Sequence, residues 1–228
     1  MIFITGDTHG CLDIHKLNNA CFPIQSNLTK NDYVIICGDF GLVWGGANAN
    51  TDAYWQRWLN EKPFTTLFID GNHENHELLQ KYPLTEWHGG MVHVIQPSIL
   101  HLIRGQVFEI DGKTFFTMGG AASHDKEHRK EGISWWPGEM PSAEEYTEAE
   151  RNLEKYNWNV DYVLTHCAPS SVQTYMCSDY MPDELTVFLE SVRERLTWKT
   201  WYMGHYHKDE LYGKYRMLYN DVIEITEQ

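Results

Sequence analysis

Short apolar runs alternate with amphipathic segments along the first third of the chain. The runs at residues 2–4, 33–37 and 65–69 are rich in β-branched and aromatic residues, which is typical of strands buried on both faces. Between them, residues 12–21 and a segment that opens at Thr51 and is closed by Pro63 predict helices. The resulting order of strand, helix, strand, helix, strand predicts a parallel sheet with right-handed crossovers, in which the first run is a central strand.

The pattern changes after residue 90, where four strand-like runs follow one another closely. They occupy residues 92–95, 99–102, 107–110 and 114–117, and Asp111-Gly112 between the last two predicts a hairpin turn. These runs predict an antiparallel meander that forms part of a second sheet. Farther along, Ser142 and Glu145 predict a capping box before a helix, residues 185–196 predict another helix, and residues 161–164, 200–203 and 211–225 predict further strands.

Length and composition are those of a globular α/β protein. The chain has 228 residues, of which 42% are hydrophobic and 14% aromatic, so we expect one domain over residues 1–228 with a well-packed core. No apolar stretch reaches the roughly 18 residues of a membrane span, and the first strand leaves no room for a signal peptide. The five cysteines lack Cys-x-x-Cys pairing, which favours reduced thiols. We therefore expect a soluble, cytoplasmic protein.

The charge balance bears on the class of partner. Eighteen basic and 32 acidic residues give a formal net charge of −14. Non-specific binding of nucleic acid needs clustered Lys and Arg, so we do not expect it here. Neither the charge nor the rest of the sequence indicates an oligomeric state.

Metal-binding residue types follow five of the predicted strands, most of them directly after a glycine. Because the carboxyl ends of parallel strands meet at one edge of a sheet, these side chains are expected to share a site. Carboxylate, imidazole and amide groups together suit two ions such as Mn, Fe, Co, Ni or Zn better than one tetrahedral structural zinc. The residues concerned are Asp7, His9, Asp39, Asn72, His73, His166, His205 and His207.

Five motifs in this order resemble those of the calcineurin-like metallophosphoesterase superfamily, and the resemblance spans nearly the whole chain. The fold it implies is a four-layer α/β sandwich, with two packed mixed β-sheets flanked by helices. The motifs are Asp7-Thr8-His9, Gly38-Asp39, Gly71-Asn72-His73-Glu74, His166 and Gly204-His205-Tyr206-His207.

The resemblance also implies a role for each residue. One metal ion would be held by Asp7, His9, Asp39 and His207, and a second by Asp39, Asn72, His166 and His205, with Asp39 bridging. Two ions about 3.5–4 Å apart can clamp a phosphoryl group and activate a bridging water as the attacking hydroxide. His73 is not a ligand in this family, and its implied catalytic role is to protonate the leaving oxygen or to stabilise the transition state.

The substrate expected is a phosphodiester, a nucleotide or a small phosphomonoester. In the protein Ser/Thr phosphatase branch the second motif continues with an Asp and an Arg, where this chain has Leu42 and Val43. Their loss disfavours a protein phosphatase, which stays as an alternative, and leaves open what orients His73. A non-catalytic metal-binding scaffold of the same fold is the alternative from another class.

A polar excursion at residues 120–141 offers candidate substrate contacts. Arg129 and His124 lie in it, followed by Trp135-Trp136, so that the segment could bind a phosphate and stack on a base. Its basic residues are matched by acidic ones, so a solvated loop is the other interpretation. Asp70 and Glu74, which flank the third motif, are expected to orient its turn rather than to bind metal.

Overall fold

The structure is a computed structural model that describes residues 1–226, and it contains two mixed β-sheets. The first six strands belong to one sheet: β1 (Ile2–Thr5), β2 (Tyr33–Cys37), β3 (Thr65–Ile69), β4 (Leu84–Trp87), β5 (Gly90–Gln96) and β6 (Ile99–Leu102). The next six form the other: β7 (Gln106–Ile110), β8 (Lys113–Met118), β9 (Tyr162–Thr165), β10 (Thr200–Met203), β11 (Glu210–Tyr212) and β12 (Tyr215–Met217). The chain then returns to the first sheet with β13 (Ile223–Glu224).

Each sheet has a parallel centre with antiparallel strands at its margins. The seven-stranded sheet has the order β13-β1-β2-β3-β6-β5-β4, and the six-stranded sheet has the order β11-β12-β10-β9-β8-β7. Strands β1, β2, β3 and β6 are parallel in the first sheet, as are β8, β9, β10 and β12 in the second. β1 pairs with β2 on one side and β13 on the other, so it is not an edge strand.

The helices cover the outer faces of the two sheets. They are α1 (Ala49–Asn60), α2 (His76–Leu79), α3 (Ala143–Lys155), α4 (Ser170–Met176) and α5 (Glu184–Arg195). Alternate strand residues point to opposite faces: Ile4 and Ile35 pack against Phe115 between the sheets, while Phe3 and its neighbours face α1. The outer face of the second sheet packs on α3 and α5. These layers confirm the predicted four-layer α/β architecture.

The helix predicted over residues 12–21 is wrong. The chain there forms turns and a single 3-10 turn at Ile14–Leu17, with Ile14 and Leu17 buried. The side chain of Asn18 accepts hydrogen bonds from the backbone N–H groups of Ala20 and Cys21, both at 2.8 Å. Asn side chains that bond to nearby backbone groups compete with helix continuation, and this local turn replaces the second half of the predicted helix.

The predicted meander is divided between the two sheets. β5 and β6 extend the first sheet, with β6 parallel to β3, whereas β7 and β8 begin the second. The turn at Asp111-Gly112 is confirmed, with φ of 50° and 71° at its two residues, as a type I′ hairpin requires. A pattern of short strands therefore identified the hairpins but not the sheet that each one joins.

Helix starts were predicted with mixed success. The capping box of Ser142 and Glu145 is confirmed, with both reciprocal hydrogen bonds present. The predicted cap at Thr51 is wrong, because α1 begins at Ala49 and Asn48 makes no side-chain cap bond. Within residues 1–226, no helix is long and apolar enough to cross a membrane.

A buried ion pair joins the end of β3 to the short connection between β6 and β7, where the chain passes from the first sheet to the second. Asp70, just after β3, accepts a 2.9 Å hydrogen bond from Arg104 Nε and lies 3.1 Å from His101 Nε2. Arg104 also donates to the carbonyl oxygens of Gly138 and Glu139, at 2.9 and 3.1 Å. Burial alone would raise the pKa of Asp70, but Arg104 and His101 outweigh it and hold that pKa well below its usual value. The pair thereby ties the 120–141 excursion to the sheet edge.

Replacing Asp70 with asparagine is expected to lower the free energy of unfolding by about 3–5 kcal/mol, because it leaves the Arg104 charge buried without its partner. A depressed folded-state pKa means that the carboxylate stabilises the fold above its ordinary pKa of 3.8 and that this contribution is lost as the pH falls below that value. Urea unfolding at pH 7 and near pH 3 measures both effects. The acid-induced loss should be smaller in the variant than in the wild type.

Glu150→Gln provides the control, because Glu150 and Arg195 form an exposed ion pair with 49% and 47% exposure. Such pairs contribute less than about 1 kcal/mol. A D70N protein as stable as E150Q at pH 7 would contradict a stabilising role for the Asp70–Arg104 pair.

Candidate metal centre

Four of the predicted ligands have the left-handed backbone conformation that residues with a Cβ rarely adopt. The φ angles are 42° at His9, 45° at Asp39, 67° at His205 and 50° at His207. These residues lie in the turns that follow β1, β2 and β10. Such strained conformations cluster at functional sites, and here they coincide with the ends of parallel strands.

Two glycines leave room for the carboxylates of the site. A Cβ at Gly71 would lie 2.1 Å from Asp39 Oδ1, and a Cβ at Gly204 would lie 2.1 Å from Asp7 Oδ1. No side chain can occupy either position without displacing a carboxylate. The glycines that precede the motif residues therefore allow the backbone to approach the centre closely.

Ligand atoms from five chain segments converge beyond the strand ends. His207 Nε2 lies 3.2 Å from Asp7 Oδ2, His9 Nε2 lies 3.4 Å from Asp39 Oδ2, and His166 Nε2 lies 3.3 Å from Asp39 Oδ1. Three overlapping groups have all their ligand atoms within 4.8 Å of one another: Asp7, His9 and His207; His9, Asp39 and His73; Asp7, Asp39 and His166.

Asn72 and His205 lie at the margin of this cluster. Asn72 is buried, its Nδ2 donates to Ser123 Oγ at 3.1 Å, and its Oδ1 has no hydrogen-bond partner. The ring of His205 lies 4.9 Å from that of His166, between centroids, and its backbone N–H donates to Asp7 Oδ1 at 2.9 Å. The structure thus places the seven predicted ligands beyond the ends of β1, β2 and β3 in the first sheet and of β9 and β10 in the second. Asn72 and His205 lie outside the three closest groups.

The electrostatics of the cluster suit cations. Asp7 and Asp39 are both buried, and buried carboxylates need compensating positive charge. Burial would lower the pKa of His166, but Asp39 and Asp7 outweigh it and raise that pKa to about 10. Two buried polar atoms, Asn72 Oδ1 and His166 Nε2, make no hydrogen bond. The oxygen and imidazole donors therefore fit divalent ions, which would take the place of the proton on His166.

Residues outside the motifs fix the orientation of three of the predicted ligands, His9, His166 and Asn72.

 Asp13 Oδ2 lies 2.7 Å from His9 Nδ1, and the carbonyl oxygen of Cys37 lies 2.8 Å from His166 Nδ1. Each contact leaves the Nε2 atom of that histidine facing the centre, as the outer contacts of metal-binding histidines generally do. Asn72 is held by Ser123, whose Oγ donates to Glu139 Oε2 at 2.6 Å.

The two acidic residues beside the third motif contact other groups. Glu74 is fully buried and accepts hydrogen bonds from the backbone N–H groups of Phe40 and Gly41, at 2.6 and 3.3 Å. The carboxylate of Asp70 accepts a hydrogen bond from Arg104 and contacts His101. Both carboxylates therefore brace the turns around the cluster.

His73 lies at the cluster, and its ring contacts Arg129 from the 120–141 excursion. The backbone N–H of His73 donates to Asp39 Oδ1 at 2.8 Å. The terminal nitrogens of Arg129 lie 3.2 and 3.3 Å from the two ring nitrogens of His73, and Asp125 pairs with Arg129 Nε at 2.7 Å. Burial lowers the pKa of His73, Asp39 opposes this, and Arg129 adds to the lowering, so that the pKa lies below its usual value. Leu42, at the position of the missing Asp, is buried and apolar. The ring of His73 instead contacts Arg129, and its backbone is held by Asp39.

The other predicted groups of the excursion are arranged differently. His124 is exposed, and its ring lies 6.2 Å from that of His205 and 6.3 Å from that of Tyr180, between centroids. Trp136 is buried and packs edge-on against Trp44 at 5.2 Å. Of the two tryptophans expected to stack on a base, Trp136 is therefore not available, whereas Trp135 is half-buried and its role stays a prediction.

Comparison with known proteins adds independent findings. A family model described as calcineurin-like phosphoesterase matches residues 1–209. A lariat debranching enzyme of Drosophila pseudoobscura pseudoobscura is 30% identical over 123 residues, which cover 49% of this chain and 21% of that protein. The chain thus spans about a fifth of the length of this curated relative. On the family match over residues 1–209, with all five motifs placed directly after strands of the two sheets, the chain belongs to the calcineurin-like phosphoesterase family.

Proposed function

We propose that this protein hydrolyses phosphoesters at a centre of two divalent metal ions. The observation that carries the proposal is the cluster around the buried carboxylates of Asp7 and Asp39, whose oxygens lie within 4.8 Å of imidazole nitrogens from several histidines. Phosphoester hydrolysis is the general activity that family membership supports.

The proposed ligand sets share Asp39. Asp7, His9, Asp39 and His207 would hold one ion, and Asp39, Asn72, His166 and His205 would hold the other. When bound, the two ions supply Lewis acidity and a water of lowered pKa. We propose that they are drawn from Mn, Fe, Zn, Ni and Co, and metal analysis of protein purified without chelators identifies them.

His73 and Arg129 would act on the substrate itself. Burial and the charge of Arg129 lower the pKa of His73, which favours its neutral ring, and a neutral ring can donate a hydrogen bond to the leaving oxygen. Arg129 carries the positive charge beside it and can bind a phosphoryl oxygen through paired N–H groups. The two residues would together neutralise charge that develops as the ester bond breaks.

The substrate we propose is a phosphodiester, a nucleotide or a small phosphomonoester. The relative's name denotes action on a lariat, but the net charge of −14 gives no support for binding an extended polyanion. A protein Ser/Thr phosphatase is less well supported, since Leu42 and Val43 are buried apolar residues. All five cysteines are free, which supports a reducing compartment, and we propose the cytoplasm.

Turnover of p-nitrophenyl phosphate and of its bis-ester, with added Mn²⁺, tests the proposed activity. We expect hydrolysis of at least one ester, and a screen of nucleotides, cyclic nucleotides, phosphopeptides and phosphodiesters then defines the substrate class. If neither ester nor any member of the screen is hydrolysed, the alternative of a non-catalytic metal-binding scaffold is favoured instead.

Replacing Arg129 with glutamine is expected to reduce kcat/KM by about 10- to 100-fold, the effect of losing one charge-assisted hydrogen bond to the transition state. The same change should raise the pKa of His73, because it removes the neighbouring positive charge. The pH dependence of kcat/KM measures both effects. Lys130→Gln is the matched control, since Lys130 is the adjacent exposed cation, and equal losses in the two variants would contradict a specific role for Arg129.

A further inference from the structure

A cavity of about 390 Å³ adjoins the proposed centre. His9 and His73 form the end nearest the cluster, and Leu12, Leu42 and Trp44 contribute to its walls. Its volume lies within the roughly 300–1,000 Å³ of small-molecule sites. A substituent of the phosphoryl group that extends past His9 and His73 would enter this cavity.

The Trp44 wall of this cavity is held in place from two directions. The ring of Trp44 packs edge-on against the buried ring of Trp136, with 5.2 Å between centroids. The backbone N–H groups of Trp44 and Gly45 donate to Asp52 Oδ2 at 2.9 and 2.7 Å. A fixed aromatic surface binds a flat apolar group with little loss of side-chain entropy.

The rim of the cavity at Leu12 is apolar and open. The side chain of Leu12 is 74% exposed although it lines the cavity. Contact with a bound ring would remove apolar surface of Leu12 from water. Apolar surface at this rim is exposed to water in the free protein, and its burial by a ligand would contribute to binding.

The charges of the cavity disfavour an anionic occupant. No Lys or Arg is among the residues that line it within the described part of the chain, and Asp52 contributes a carboxylate. A second phosphate or a carboxylate would have no cationic partner there. An uncharged organic group is the chemistry that suits these walls.

We propose that this cavity receives the leaving group of the substrate and selects an uncharged, planar ring system no larger than a nucleoside. This inference rests on the proposed function, because it takes the cluster beside His73 as the phosphoester centre. It deepens that function by placing specificity in Trp44 and Leu12. Esters of planar alcohols and phenols are then preferred over those of small alkyl or highly charged alcohols.

The test compares binding of benzylphosphonate and methylphosphonate to the Mn²⁺-loaded protein by calorimetry. Neither compound is a substrate, so the comparison does not depend on reactivity. The wild type is expected to prefer benzylphosphonate by at least about tenfold, through the apolar area that the ring buries. Trp44→Ala and Leu12→Ala should reduce this preference several-fold, whereas Trp44→Phe should retain most of it.

Leu84→Ala serves as the control, because Leu84 is an exposed residue of β4 away from the cavity. Leu12 is so exposed that its replacement should leave the fold intact even if Trp44→Ala unfolds. A wild type without preference, or a preference that persists in the Leu12→Ala variant and in a folded Trp44→Ala variant, would overturn the inference.

Ester turnover separates this inference from the proposed function. Hydrolysis of phosphoesters without any ring preference would overturn the role of the cavity and leave the proposed function standing. A ring preference that depends on Trp44 and Leu12, in a protein that hydrolyses no phosphoester, would support the cavity as a binding site and overturn the proposed function.

Discussion

The Asp39→Asn protein is expected to lose both metal binding and turnover. Asp39 lies between two histidines, with His9 at 3.4 Å and His166 at 3.3 Å, and it also accepts the backbone N–H of His73. Asparagine keeps the shape but removes the negative charge that both ions would share. Because a two-metal centre contributes several kcal/mol to transition-state stabilisation, turnover should fall by at least about a thousandfold.

Metal binding is measured separately from turnover by thermal unfolding at increasing Mn²⁺. A ligand at a hundred times its Kd stabilises a fold by about 2.7 kcal/mol, so the wild-type Tm should rise with Mn²⁺ and the variant Tm should not. Asp111→Asn removes the same charge from an exposed hairpin turn, where asparagine is equally suitable. A D39N protein that behaves like D111N in both assays would refute the bridging role of Asp39.

The His73→Asn protein is expected to keep its metals and lose catalysis. A positioned hydrogen-bond donor to the charge that develops in the transition state contributes about 10²- to 10³-fold to the rate, and the loss should fall mainly on kcat. His73 also lies within 4.8 Å of His9 and Asp39 ligand atoms, so a ligand role is the competing hypothesis. The response of the Tm to Mn²⁺ distinguishes the two, because loss of a ligand would weaken metal binding as well.

His15→Asn is a suitable comparison for His73→Asn. His15 is exposed and packs edge-on against Trp55 at 5.0 Å, so its replacement should leave kcat unchanged. Wild-type kcat in the His73→Asn protein would contradict its catalytic role, and a weakened Mn²⁺ response would reassign it as a ligand.

The positions of the strand-end residues could be predicted because local sequence and topology act together. Apolar runs that end in glycine define parallel strands, and parallel strands deliver their carboxyl ends to one edge. The close approach at Gly71 and Gly204 shows why glycine precedes the ligand residues. The shared position of the residues that follow β1, β2 and β3 follows from this local pattern. The four-layer fold, and the meeting of these residues with those after β9 and β10 of the second sheet, were implied by the family resemblance, and the single-domain assignment stays a prediction.

Contacts across long separations could not be predicted in this way. Arg129 meets His73 across 56 residues, and Asp70 meets Arg104 across 34. No local pattern marks such pairs, because the intervening chain decides which segments meet. Asp13 is the exception: its spacing of four residues from His9 is a signal that the sequence contains.

Two of the wrong predictions, the single meander and the first helix, also depend on contacts that the periodic pattern does not contain. Residues 92–117 have a strand pattern that is satisfied equally well in one sheet or two, and the division follows from pairing of β6 with β3 and of β8 with β9. In residues 12–21, apolar spacing favoured a helix, but the Asn18 side chain captured the backbone donors. Tertiary pairing and local side-chain hydrogen bonds override a weak periodic signal.

The most direct test of the two-metal account is a titration of chelator-stripped protein with Mn²⁺ while hydrolysis of bis-p-nitrophenyl phosphate and of p-nitrophenyl phosphate is followed. The account predicts no turnover in the stripped protein and a rise that saturates near two equivalents of tightly bound metal. Turnover that is undiminished in the stripped protein, or that is absent with the centre fully loaded, would contradict it.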